Sequence, residues 1–388
     1  MSTLINKKMK RVATMNTGLY VHIPFCQSKC YYCDFLSIAD NSLEDVYVSA
    51  LVEELKRYSR KVKRKINTIF IGGGTPTALS VNLLSKICEV IEDNFILDKD
   101  IEWTIEVNPG TLTKSHLQII KNTSINRVSL GLQSSCNNLL KKIGRIHTFE
   151  DWENTINDLL GIEITNINTD LMFALPSQTL HDWKCTLARV SQYPITHISA
   201  YALILEKNTK LYNDYKNGLF LITSEDVDRQ MYATAKEILS SYGFFQYEIS
   251  NWAKNGYKCK HNILYWTLDE YIGVGLGASG YLNNIRYTNT DDLKKYIQGI
   301  DHGTDIIKEE DVITNKMSME EFMFLGLRMI RGICKKDFKN RYGKNIEEIY
   351  GYEINKWKNE KALIENETNI YLTNFGIDIS NTVFASFL

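Results

Sequence analysis

Three cysteines within eight residues constrain this chain more than any other feature. The run Cys26-Gln27-Ser28-Lys29-Cys30-Tyr31-Tyr32-Cys33 brings three thiols close enough for one loop to wrap a metal centre. Given one cysteine, finding others at both +4 and +7 by composition alone has a chance on the order of a few in ten thousand per site. The chain holds eight cysteines in 388 residues. No apolar leader with a small-residue cleavage site precedes them, so the expected compartment is the cytoplasm, where thiols stay reduced and clustered cysteines point to metal. The other five, Cys88, Cys136, Cys185, Cys259 and Cys334, are scattered and read as small side chains of the core.

Charge and length narrow the class. Lys and Arg number 45 against 46 Asp and Glu, a formal net charge of −1, which excludes a strong overall nucleic-acid footprint. The basic run KRYSRKVKRK from Lys56 to Lys65 reads as the solvated end of an amphipathic helix. No window reaches the roughly 18 apolar residues of a membrane span. The length allows a large barrel-type domain with an appendage.

Apolar runs alternate with helical periodicity along most of the chain. Leu19 to Ile23 reads as a strand that stops at Pro24, which has no N–H to give a sheet ladder. Ser42 with Asp45 resembles a helix start, with Leu43, Val46, Ala50, Leu51, Leu55 and Tyr58 following at helical spacing. Further strands are expected at Thr68 to Ile71, Glu102 to Val107, Arg127 to Leu132, Asn166 to Phe173 and His197 to Leu203, with helices between them. About six βα units in one run predict an α/β fold, a full or partial parallel βα barrel with a smaller C-terminal region. The expected division is an N-terminal extension over 1–17, the barrel over 18–243 and a C-terminal region over 244–388, because the rhythm changes after Tyr242.

The cysteine loop leaves the first strand at its C-terminal end, where barrels carry their ligand groups. Structural zinc wants four ligands, and no second pair stands at a suitable spacing. Three thiolates on a four-iron cubane instead leave one iron open, and a small molecule's amino and carboxylate groups can chelate it. Other candidate groups follow later strands: Gly72-Gly73-Gly74-Thr75-Pro76-Thr77, Glu106 before Asn108-Pro109-Gly110, Gln133 in SLGLQS and Arg145 in IGRIH. Glycines there let backbone approach a ligand, and a carboxylate accepts from ribose hydroxyls or an ammonium. Asp170 lies inside the apolar strand NTDLMFALP, where an unpaired carboxylate is costly, so it either binds a ligand or pairs internally. His261 opens HNILYW beside Tyr265 and Trp266; an imidazole among aromatics is either a core residue or an axial ligand for haem.

Taken in order, LYVHIPFCQSKCYYCDF, IFIGGGTPT, EVNPGT, NRVSLGLQS, IGRIH, DLMFALPSQT, YEISNWA, HNILYW and YIGVGLGASGY resemble the oxygen-independent coproporphyrinogen III oxidase-like branch of the radical-SAM proteins over roughly residues 18–330. The resemblance implies that Cys26, Cys30 and Cys33 hold a [4Fe-4S] cluster, and that Tyr20, Tyr32, Gly73, Gly74, Thr75, Glu106, Gln133, Arg145 and Asp170 match positions that contact S-adenosylmethionine. It makes His261 the first choice of haem-linked residue. The chain looks more like the branch's haem chaperones than its dehydrogenases. The dehydrogenases carry a further cysteine where Phe35 stands, and a longer segment before the position of Tyr20, which 19 residues precede here. The expected function is therefore a haem-binding carrier for haem-accepting proteins. The alternative is oxidative decarboxylation of coproporphyrinogen III, and a zinc-stabilised binding module is a third reading that lacks its fourth ligand. Beyond EFMFLGLRMIRGI, the last 60 residues carry no assignable role.

Overall fold

The computed structural model describes residues 16–388; residues 1–15, most of the expected N-terminal extension, lie outside the described part. Strand and helix alternate from the start: β1 (Thr17–Ile23), α1 (Glu44–Lys61), β2 (Lys65–Gly73), α2 (Val81–Asn94), β3 (Ile96–Val107), α3 (Lys114–Asn122) and β4 (Arg127–Gln133). Two helices, α4 (Asn137–Lys142) and α5 (Phe149–Gly161), lead to β5 (Asn166–Phe173), and α6 (Leu180–Ser191) leads to β6 (His197–Ala202). Next come α7 (Lys210–Lys216), α8 (Glu225–Ser241), β7 (Phe245–Glu248), β8 (Asn251–Ala253), α9 (Lys260–Trp266) and β9 (Glu270–Val274).

The six βα units form the parallel barrel wall that their alternation requires. Strands β1 to β6 pair in sequence, each parallel to the next. The wall extends past residue 243 on both sides. Strand β9 pairs parallel to β1, and β8 and β7 continue antiparallel beyond β6. Strands β10 (Ser279–Leu282) and β11 (Ile285–Asn289), then α10 (Leu293–His302) and β12 (Ile307–Val312), complete a twelve-stranded sheet at the β9 edge. A smaller unit follows α11 (Asn315–Gly326): β13 (Ile333–Cys334), α12 (Lys335–Tyr342), α13 (Ile346–Asn359), β14 (Leu363–Glu365) and β15 (Asn369–Leu372), with a three-stranded antiparallel sheet. No helix among the described residues is long and apolar enough to cross a membrane.

Local chemistry explains the starts of several helices. Thr113, Thr148 and Thr179 each cap a helix reciprocally with the residue three positions on, which satisfies two otherwise free backbone donors. Ser42 does not cap α1 as its spacing with Asp45 predicts. The helix starts at Glu44 behind Leu43, and Ser42 instead donates its N–H to Asp40. In the basic run from Lys56 to Lys65, Arg57 and Arg60 pair with Glu53, Arg64 with Glu270 and Lys65 with Asp98.

Period-two alternation decides what the barrel encloses. On β4 to β6, Val128, Leu130, Ile167, Leu171, Ile198 and Ala200 face outward into one continuous core beneath the helices. Their neighbours Arg127, Ser129, Gly131, Gln133, Asn168, Asp170, Met172, Ser199 and Tyr201 line an interior cavity. Branched aliphatic layers fill an ordinary βα barrel. Here the inner positions are mostly polar, and the interior stays open at the strands' C-terminal ends.

Candidate functional site

The cavity has a volume of about 680 Å³, and all three clustered cysteines line it. Their loop is pinned at its base, where Cys26 N–H donates to Ile38 O at 2.9 Å and Ile38 N–H to Pro24 O at 2.7 Å. The glycine loop after β2 clasps the same base, with Gly74 N–H on Ile23 O at 2.7 Å and Thr75 N–H on Phe25 O at 2.8 Å. A Cβ on Gly74 would stand 2.6 Å from Phe25 O and 3.0 Å from Cys26 Sγ, so only glycine allows this approach.

A chain of hydrogen bonds joins two of the thiols through groups that are distant in sequence. Cys26 Sγ lies 3.5 Å from Thr75 Oγ1, which accepts from Asn108 Nδ2 at 2.6 Å. Asn108 Oδ1 accepts from Arg145 Nη2 at 2.7 Å, and Arg145 Nη1 donates to Cys30 Sγ at 3.3 Å. Arg145 also donates to the Gly131 carbonyl. Burial pushes the Cys26 and Cys33 thiols up from their ordinary values, so both favour the neutral form until a cationic centre stabilises thiolate.

The donor set fits an iron–sulfur cluster better than a single ion. Among the described residues, no group of three or more His, Cys, Asp or Glu side chains is placed to hold one metal ion. All three thiols nevertheless line one cavity. Cubane ligands need not converge on one ion, because each thiolate binds a different iron.

Two carboxylates face the same space. Glu106 accepts from Gly73 N–H at 3.0 Å, and burial, then repulsion by Asp170, lifts its pKa to about 7. Asp170 accepts from Asn168 Nδ2 at 2.8 Å and Ser129 Oγ at 3.4 Å; burial raises its pKa against these bonds. It is thus internally partnered and still lines the cavity. Gln133 ends β4 with φ of 73°, and its buried Oε1 has no partner.

Of the residues singled out in the sequence, Cys26, Cys30, Cys33, Tyr32, Gly73, Gly74, Thr75, Glu106, Gln133, Arg145 and Asp170 line the cavity together. Tyr20 and His261 do not. Tyr20 pairs through its hydroxyl with His22 Nδ1 at 2.9 Å. His261 is 1% exposed, and both its ring nitrogens are engaged, Nδ1 with Thr68 Oγ1 at 2.8 Å and Nε2 with Tyr265 OH at 2.9 Å. Burial pushes its pKa down to about 3. Its ring is enclosed because Glu102 on β3, whose carboxylate accepts the N–H groups of Lys260 and His261, draws the start of α9 into the barrel. The next residue, Asn262, reaches the cavity instead.

Sequence reasoning missed Asn108, Arg127, Ser129, Asn168, Ser199 and Tyr201 as lining residues. Polar residues at alternate positions of RVSLGLQ, NINTDLMF and HISAYA were the available signal.

Comparison with known proteins places these features among relatives. The radical SAM superfamily model matches residues 20–190, and the HemN C-terminal domain model matches residues 313–379. Over 370 residues the chain is 38% identical to the haem chaperone HemW of Lactococcus lactis, covering 95% of this chain and 96% of that one. It is 37% identical over 373 residues to the haem chaperone HemW of Bacillus subtilis, with 95% and 98% covered. The solved structure of coproporphyrinogen III oxidase (HemN) from Escherichia coli, a radical SAM enzyme, shares the fold with a TM-score of 0.84 at 19% identity, covering 99% of this chain and 92% of that one.

Proposed function

The chain belongs to the HemW family of haem chaperones within the radical SAM superfamily, and from that premise we propose that it binds haem as cargo for haem-accepting proteins and carries a [4Fe-4S] cluster with S-adenosylmethionine. The observation that carries the cofactor part is the convergence of three thiols, a glycine loop and two carboxylates on one cavity. Cys26, Cys30 and Cys33 would hold the cluster. When bound, the cluster and S-adenosylmethionine supply one-electron chemistry at the sulfonium.

The chain's own groups then have separate tasks. Arg145 steadies the Cys30 thiolate and is itself oriented by Asn108 and Gly131. The backbone around Gly73, Gly74 and Thr75 offers close polar contact, with Gly73 N–H held by Glu106. Glu106 and Asp170 accept from ligand hydroxyls or an ammonium, and Gln133 brings an unpaired buried amide oxygen to the cavity wall. Tyr32 lines the same cavity.

Haem carriage and porphyrin chemistry are separable observables. Anaerobically reconstituted protein is given haem and, separately, coproporphyrinogen III with S-adenosylmethionine and a reductant. A Soret band saturating at one haem per chain, without protoporphyrinogen IX, is expected. Protoporphyrinogen IX as a product would replace the carrier reading with the dehydrogenase.

A further inference from the structure

We infer that haem is held at the apolar rim of the cavity mouth, on Phe35 and Ile204, and not at His261; this rests on the haem-carrier reading above. Phe35 follows the cysteine loop and Ile204 follows β6. Both line the cavity, yet each is 69% exposed. Large apolar side chains left open on a cavity rim mark a binding surface more often than chance exposure does.

Ile204 belongs to the connection between β6 and α8, which carries further exposed apolar side chains. Leu219, Leu221 and Ile222 are exposed there, Leu221 at 87%. That connection is tied to the cysteine loop, since Leu211 N–H donates to Tyr31 O at 2.8 Å and Lys210 Nζ sits 4.1 Å from the Tyr31 ring centre. The connection that carries Ile204 is therefore fastened to the cysteine loop that precedes Phe35.

The occupant follows from chemistry. Haem is a flat apolar macrocycle with two carboxylates on one edge. The cavity floor, with Glu106, Arg127, Asn168 and Asp170, is hydrogen-bonding and would be stripped of solvent by an apolar plane. His261 is enclosed, and iron ligation there would break its bonds to Thr68 and Tyr265. At the rim, Lys29 lines the cavity and donates to the Phe35 backbone carbonyl at 3.3 Å, so an ammonium stands at the same loop position as the exposed Phe35. Lys29 forms no salt bridge with the described residues. Asp34 and Glu206 also line the cavity, and their carboxylates would repel a propionate.

Ferric haem titrated into the anaerobically reconstituted full chain, followed by Soret absorbance, tests this. Phe35→Ser and Ile204→Ser should each weaken haem binding about tenfold with iron content unchanged. Tyr352→Ser, at an exposed aromatic site on α13, should leave affinity as it was. Lys29→Gln should weaken haem binding a few-fold but not binding of haem dimethyl ester, which lacks the carboxylates. Unaltered affinity in the Phe35→Ser/Ile204→Ser double variant overturns the rim site alone. Loss of binding confined to His261→Ala does the same. If the unaltered protein takes up no haem, the carrier reading itself falls, and the rim site with it.

Discussion

Acidification from pH 8 to pH 6 should weaken S-adenosylmethionine binding about tenfold, through Glu106. Burial and the neighbouring Asp170 raise this carboxyl from an ordinary 4.5 to about 7, so the free protein is mostly ionised at pH 8 and mostly protonated at pH 6. A cationic ligand with hydroxyl donors favours carboxylate, and binding must then expel the proton. The ionised fraction falls from about 0.9 to about 0.1 between those pH values, and apparent affinity falls with it. The linkage to stability has the opposite sign. A carboxyl with a raised folded pKa stabilises the fold fully below about 4.5 and loses that contribution as pH rises through about 7. Unfolding therefore does not account for weaker binding at pH 6. In Glu106→Gln, binding at pH 8 should drop by roughly ten- to a hundredfold, matching a lost charge-assisted hydrogen bond of about 1.5–3 kcal/mol, and the Glu106 part of the pH slope should vanish. Equilibrium dialysis with labelled ligand on reconstituted protein, with iron assayed at each pH, measures this. The ligand's own amine titrates equally in both proteins, so the difference between them is the readout. Identical slopes in wild type and Glu106→Gln would refute the reasoning.

Three further outcomes are expected. Cys30→Ala should lose iron and visible absorbance on anaerobic reconstitution, whereas Cys88→Ala, buried in α2, should keep both; equal iron in the two variants would remove the cysteine loop from its role. Glu54 accepts from Gly275 N–H at 2.8 Å, Asn289 Nδ2 at 2.9 Å and Tyr296 OH at 2.6 Å, so Glu54→Ala orphans three buried donors and should cost about 3–5 kcal/mol in denaturant unfolding. Because burial lifts Glu54 to about 7, its stabilising protonated form is lost as pH rises from about 4.5 through 7, and Glu54→Gln should abolish that slope. His261→Ala strands Thr68 and Tyr265 and should destabilise the fold by about 2–3 kcal/mol with cofactor iron retained, measured by melting and iron assay.

Much of the barrel was legible because its signals are short-range. A strand buried on both faces and a helix buried on one leave periods that a window of a dozen residues holds. The βα rhythm from Leu19 to Tyr242 therefore maps onto β1 to β6 and their helices. Cys26, Cys30 and Cys33 and the glycines after β2 were legible for the same reason, since a single loop contains each set.

Closure of the sheet decided the rest. Thr75, Asn108 and Arg145 become one hydrogen-bonded chain only when β2, β3 and the β4 connection stand side by side. Arg127, Asn168 and Ser199 face the cavity because sheet curvature turns one face of each strand inward, and a linear pattern does not say which. HNILYW presented an imidazole among aromatics, but Glu102, 159 residues upstream, seats it in the barrel and occupies it with Thr68 and Tyr265. Spacing along the chain determined which residues could share a loop or a face. Contacts between residues far apart in the chain, made when the hydrophobic outer faces were buried, determined which of them share the cavity.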